Sequence, residues 1–233
     1  MSHKTKVLVN FIQDRSGSMT PVWDETLNGF KCFINDLREK GAADGIDYLF
    51  SLTTFDTLID TPCIGRPIDK VDENLLSKFG PRGNTALYDA MGQTIENTDK
   101  DRHGAQKIIC VIVTDGHENS SREWTKDSLN RAVEFRLKAG DWSFIYLGTQ
   151  PETWDDAAAI GVGFGSVAAY DPAMAHRAYR LLSGSVHTHS VSPNKGTRSM
   201  FASYRKAGDA VDAGMSIKPD QASAEAKPPR RWR

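Results

Sequence analysis

The chain has 233 residues, with 29 Lys/Arg against 30 Asp/Glu, 39% hydrophobic and 25% charged side chains, the make-up of a globular protein with room for one α/β domain and an appendage. The even charge balance predicts no particular partner. No run approaches the roughly 18 apolar residues of a membrane span, and three cysteines at unrelated positions fit reduced thiols better than a disulfide framework or a zinc site.

In chain order, the opening "MSHKTKVLVN" passes straight into a strand pattern, without the apolar core and cleavage site of a secretory signal, so a cytoplasmic location is expected. The run "KVLVNFI" predicts a strand over residues 6–13, apolar on both faces as an interior parallel strand must be. Trp23, Leu27, Phe30, Ile34 and Leu37 then recur at helical spacing, predicting a helix over 21–40 with Thr20 as N-cap and Pro21 in its first turn. The next strand, "DYLFSLTTF" at 47–55, mixes Ser and Thr with apolar residues and is placed nearer an edge. A short strand follows near 58–60, and Cys63 falls in a loop.

A second helix is predicted from Thr85, turning Leu87, Ala90, Met91 and Ile95 inward. "KIICVIV" then marks a strand over 107–114. A third helix is expected over 125–139, ended by Gly140, with Trp124 and Leu129 as its hydrophobic staple. After a strand over 143–148, "PETWDDAAAIG" reads as a short helix. A weak strand is expected over 167–170, and then a last helix with Asp171 as N-cap and Pro172 at its first position. This alternation of strands and helices predicts a doubly wound, mostly parallel sheet covered on both faces. Beyond residue 190 the composition changes, with nine Lys/Arg against four Asp/Glu from Pro193 onward and a terminal "PPRRWR". Residues 1–190 are therefore expected to form the domain. Residues 191–233 are expected to form a flexible basic tail with a helix near 198–211.

Three short stretches bear on function: "DRSGSM" after the first strand, "GNTALYDAM" at the second helix, and "VIVTDGHEN" after the "KIICVIV" strand. Each has a local explanation, since Asp, Ser and Thr are good helix caps and Asp-Gly makes turns. Position adds what these explanations lack. In a doubly wound sheet the first strand and the strand after the crossover are neighbours whose connections leave in opposite directions, opening a crevice at their carboxyl ends. Asp14, Ser16, Ser18 and Asp115 would meet there, and Thr85 can reach it from its loop. Two carboxylates and three hydroxyls form an all-oxygen set suited to a hard divalent cation such as Mg²⁺.

These residues resemble the metal-ion-dependent adhesion site of von Willebrand factor A domains, with Asp14, Ser16 and Ser18 as its DxSxS, Thr85 as its separate threonine and Asp115 as its second aspartate. The resemblance extends in element order across about residues 6–190. It implies a Rossmann-like sheet of order 3-2-1-4-5-6 with strand 3 antiparallel, a bound Mg²⁺ or Mn²⁺, and a protein partner that completes the coordination with an Asp or Glu carboxylate. It also points to the intracellular bacterial or phage kind of such domains, whose members often serve AAA+ ATPases as adaptors.

Other classes fit the letters less well. An aspartate-based phosphohydrolase or phosphotransferase needs a second acid two residues after the strand-end Asp, where this chain has Ser16. No P-loop or G-x-S-x-G elbow occurs. A structural or nucleic-acid-associated role would rest on the basic tail. Of the neighbouring residues, Arg15 is expected to project towards a partner carboxylate, Glu118 and Asn119 to sit on an exposed rim, and Asp89 to support the loop without being a ligand. His176, His187 and His189 are expected to be solvated or capping residues, not a second metal site.

Overall fold

The computed structural model describes residues 4–149, 153–192, 199–201, 204, 212 and 214–218. Its strands are β1 (Lys6–Asp14), β2 (Asp47–Phe55), β3 (Ile59–Pro67), β4 (Lys107–Val113), β5 (Trp142–Gly148), β6 (Val167–Tyr170) and β7 (Met215–Ile217). Its α-helices are α1 (Trp23–Asp44), α2 (Leu87–Lys100), α3 (Lys126–Ala139), α4 (Thr153–Ala159) and α5 (Ala175–Val191). The strands form one sheet in the order β3-β2-β1-β4-β5-β6-β7, parallel except for β3 and β7. The six-strand order and the antiparallel third strand follow the expectation.

Alternation along the two central strands builds a core on each face. Val7, Val9 and Phe11 of β1, with Ile109, Val111 and Val113 of β4, face α1 and α5. Leu8, Ile12, Ile108, Cys110 and Ile112 face α2, α3 and α4. On the first face Phe11 is the hub of an aromatic cluster, with ring centroids of Phe33 at 5.1 Å, Phe30 at 5.5 Å and Tyr179 at 6.4 Å. The α1 and α5 backbones approach closely because residue 29 is glycine: a β-carbon there would lie 2.6 Å from the Tyr179 ring. On the second face α2 rests partly on polar groups. Asn10 Nδ2 donates to Thr98 Oγ1 at 2.9 Å, and the Thr53 and Thr94 hydroxyls meet at 3.2 Å.

Several boundaries differ from those read in the sequence. Residues 17–22 form a 3₁₀ turn, and the α-helix starts at Trp23 and runs on to Asp44, where Gly45 ends it in the left-handed region with φ 66°. Strand β3 is nine residues long, with Cys63 buried inside it and not in a loop. Its two prolines and glycine break the strand pattern in the sequence, yet an edge strand tolerates them. With β3 outside it, β2 is second from the edge, and its Ser and Thr residues are buried instead of facing water, with the Ser51 and Thr53 hydroxyls in hydrogen bonds.

The segment expected to be a tail contributes to the fold where it is described. Met215–Ile217 pairs with β6, and Met200 and Phe201 are buried in the core beside α5. The last three parallel registers leave β6 with one open edge, which β7 covers. The expected helix near 198–211 falls largely, and "PPRRWR" entirely, outside the described residues. Among the described residues no helix is long and apolar enough to cross a membrane.

Candidate metal centre

Strand β1 delivers Asp14, fully buried, to the carboxyl edge of the sheet, and the chain turns at once through residues 15–18. The turn does not use its hydroxyls to start the helix. Ser16 stands at the N-cap of the 3₁₀ turn without a side-chain capping bond, and its Oγ lies 3.0 Å from Ser18 Oγ. Ser18 Oγ donates to Asp115 Oδ1 at 2.9 Å, linking the β1 loop to the β4 loop. Asp14 Oδ1 accepts from the Ser16 backbone N–H at 2.6 Å, and Asp14 Oδ2 accepts from Thr114 Oγ1 at 2.5 Å.

Thr85 comes from the loop before α2 and does not cap that helix either, since Ala86 is the N-cap and has no side-chain capping bond. Its hydroxyl points to a small space above Gly116. A β-carbon built on Gly116 would lie 3.0 Å from Thr85 Oγ1, 3.2 Å from Ser18 Oγ and 3.6 Å from Asp14 Oδ2. Three oxygens, two from the β1 loop and one from the loop before α2, therefore surround the volume that a single side-chain carbon on the β4 loop would occupy. Together with Ser16 and Asp115, this brings all five residues singled out in the sequence to one place.

The charges are costly without a counter-ion. Burial pushes the Asp14 carboxyl up to about 6, against the opposing hydrogen bonds from Thr114 and Ser16, and neighbouring Asp115 adds to the rise. Burial also raises Asp115, with the Ser18 hydrogen bond working the other way. Two crowded carboxylates with three hydroxyls form a donor set that fits a hard divalent cation.

Surrounding residues hold the site in shape. Asn119 Oδ1 accepts from the Thr85 backbone N–H at 2.9 Å, and the Asn119 and Ser120 N–H groups donate to the Thr85 carbonyl. Glu118 Oε2 accepts from the Tyr88 N–H in the first turn of α2 at 2.9 Å, and Glu118 Oε1 accepts from Ser120 and Ser121. Thus Asn119, exposed as expected, and the half-buried Glu118 also strap the β4–α3 loop to the start of α2. Asp89 accepts from the backbone N–H groups of Arg122, Glu123 and Trp124, the supporting role expected of it.

Arg15 departs from expectation. Its side chain is only 4% exposed and turns inward to Asp56 and Asp60, not outward to a partner. Thr114, Gly116 and Asp56 were not singled out in the sequence. Only the position of Thr114 and Gly116 on either side of Asp115 offered a signal. His187 is bonded to Asp44 and Tyr48, and His189 to the Ser185 carbonyl. Among the described residues no group of three or more His, Cys, Asp or Glu side chains is arranged to hold a metal.

Comparison of the whole fold with solved structures returns a von Willebrand factor type A protein from Catenulispora acidiphila at TM-score 0.57 and 19% identity, over 79% of this chain and 43% of that one. This chain has a von Willebrand factor A fold. The matches also include the manganese-loaded TRAP protein of Plasmodium vivax, at TM-score 0.52 and 18% identity, covering 73% of this chain and 70% of that one. The PilB minor pilin of Streptococcus sanguinis superposes at TM-score 0.62 and 14% identity, over 83% of this chain and 64% of the pilin. The chain thus spans less than two thirds of the length of the Catenulispora protein and of the pilin. No family model and no curated protein matches the sequence.

Proposed function

We propose that this von Willebrand factor A domain is a cation-dependent protein-binding module, with one Mg²⁺ or Mn²⁺ held by Asp14, Ser16, Ser18, Thr85 and Asp115. The observation that carries the reading is the convergence of Thr85 Oγ1, Ser18 Oγ and Asp14 Oδ2 on the space above Gly116. The name of one structural neighbour, the manganese-loaded TRAP protein, supports a divalent ion in this fold. Bound here, the ion would neutralise the two carboxylates and offer Lewis acidity to an incoming ligand oxygen. The three hydroxyls leave it more positive than an all-carboxylate set would, which favours an Asp or Glu carboxylate from a partner protein.

Among the described residues each of these oxygens is assigned as ligand or support, and a non-enzymatic role is the reading adopted. The chemistry of the partner is an acid-bearing protein surface, and an AAA+ ATPase in the cytoplasm is the partner class proposed. The three cysteines are unpaired, two of them buried, which supports a reducing compartment.

The test is thermal unfolding with and without metal. Binding to the folded state adds RT ln(1 + [L]/Kd), about 2.7 kcal/mol at a hundredfold excess over Kd. Mg²⁺ or Mn²⁺ is expected to raise the Tm of the wild-type chain and to leave that of the Ser16→Ala/Ser18→Ala variant unmoved. Superimposable melting curves for wild type in metal and in chelator would sink the reading.

A further inference from the structure

Beside the five site residues lies a buried ion pair that cation binding does not itself require. Arg15 Nη2 is 3.2 Å from Asp56 Oδ2 and 2.5 Å from Asp60 Oδ2, and the Arg15 guanidinium carbon sits 5.2 Å from the centre of the Phe79 ring. Arg15 and Asp56 are 4% and 2% exposed, whereas Asp60 is 49% exposed. Taking such a pair out of water costs about as much as the attraction returns, so stability alone is a poor reason for its presence.

Its bonds point to another role. The Arg15 carbonyl accepts from the Arg82 N–H at 2.8 Å, and the Asp56 carbonyl accepts from the Ala86 N–H at 3.0 Å. Asp56 Oδ2 also accepts from Arg82 Nε at 2.8 Å, and Asp56 Oδ1 from the Leu58 N–H at 2.7 Å. Between those anchors the Gly83 carbonyl accepts from the Gly17 N–H at 3.1 Å, and Thr57 Oγ1 accepts from the Asn84 N–H at 3.0 Å. The segment that bears Thr85 is therefore pinned at both ends to the Arg15–Asp56 pair, and Arg15 itself lies between Asp14 and Ser16.

We infer that Arg15 and Asp56 are positioning residues that fix the Thr85 hydroxyl against the oxygens of the β1 loop. The inference rests on the cation reading of the site. The pair acts through backbone placement and touches neither the ion nor a partner.

Mn²⁺ affinity of the full-length chain, read from the free-ion electron paramagnetic resonance signal, tests it in a cycle of variants. The neutral replacement Arg15→Met/Asp56→Leu is expected to weaken Mn²⁺ binding about tenfold or more, as loss of a supporting shell does. Thr85→Ala is expected to weaken it similarly, and adding Thr85→Ala to the pair variant to cost little more, because both changes remove the same interaction. Should the pair variant not fold, as judged by urea denaturation in chelator, Arg15→Lys keeps the charge but loses the planar guanidinium, whose Nη2 meets both Asp56 and Asp60 and whose carbon lies over the Phe79 ring. It is expected to show the same non-additivity at smaller amplitude. Wild-type affinity in the variant that folds, or multiplied losses in the combination, would overturn the inference alone, whereas no loss from Thr85→Ala would overturn it together with the place of Thr85 among the ligands. Absence of Mn²⁺ binding by the wild-type chain would overturn the cation reading and this inference with it.

Discussion

At the residue scale, the site is defined as much by a missing β-carbon as by its oxygens. Gly116→Ala places a methyl group 3.0 Å from Thr85 Oγ1 and 3.2 Å from Ser18 Oγ, inside the space the oxygens enclose. The expected outcome is loss of at least about tenfold in Mn²⁺ affinity by calorimetric titration, comparable to losing a supporting shell, with the metal-free Tm little changed. Protons compete for the same oxygens. Because the folded Asp14 carboxyl is raised from 3.8 to about 6, the metal-free fold binds its proton more tightly than the unfolded chain does. Its contribution to stability is complete below the unfolded value and is lost as pH rises through about 6. Metal-free wild type should therefore gain stability relative to Asp14→Asn as pH falls from 7 to 5, while Mg²⁺ affinity declines over the same interval. Paired urea titrations in chelator check the first and calorimetry the second. Asp14, Ser16 and Ser18 were legible because their spacing is local, Asp115 because its strand adjoins theirs, and Thr85 because it stands in the loop that opens the next helix. Arg15 was misread because its partners, Asp56 and Asp60, are over forty positions away, and an arginine beside a metal loop looks the same in sequence whether it turns in or out.

At the scale of elements, the strap between the β4–α3 loop and α2 is the part most open to measurement. Asp89→Ala leaves the N–H groups of Arg122, Glu123 and Trp124 without their carboxylate acceptor. The expected cost is about 2–3 kcal/mol, in the range for hydrogen bonds to a charged group, read as a lower urea midpoint. Strands β1 and β4 were legible because "KVLVNFI" and "KIICVIV" are apolar on both faces. The full length of β3 was hidden by Pro62, Gly65 and Pro67, which matter less on an edge strand than inside a sheet. At three residues, β7 is too short to carry a periodicity, and its pairing with β6 depends on the sheet already being formed.

At the scale of the whole molecule, the sheet's carboxyl edge holds the site, while Met200, Phe201 and β7, from after α5, pack on the flank formed by α5 and β6. Phe201 is buried against that flank, its N–H donating to the Gly165 carbonyl, and the neighbouring Met200 carbonyl accepts from Ser185. Phe201→Ala should therefore cost about 3–5 kcal/mol in urea denaturation and leave the Mg²⁺-dependent rise in Tm intact, since every proposed ligand lies at or before residue 115. A loss of that rise would mean that the flank and the site are coupled. The α1–α5 layer carries a consequence of another kind. With the Tyr179 ring pressed onto the bare backbone of Gly29, the ring can turn over about its long axis only when the two helices part. The rate at which the two edges of that one aromatic ring exchange places in a nuclear magnetic resonance spectrum thus becomes a clock for the breathing of the layer.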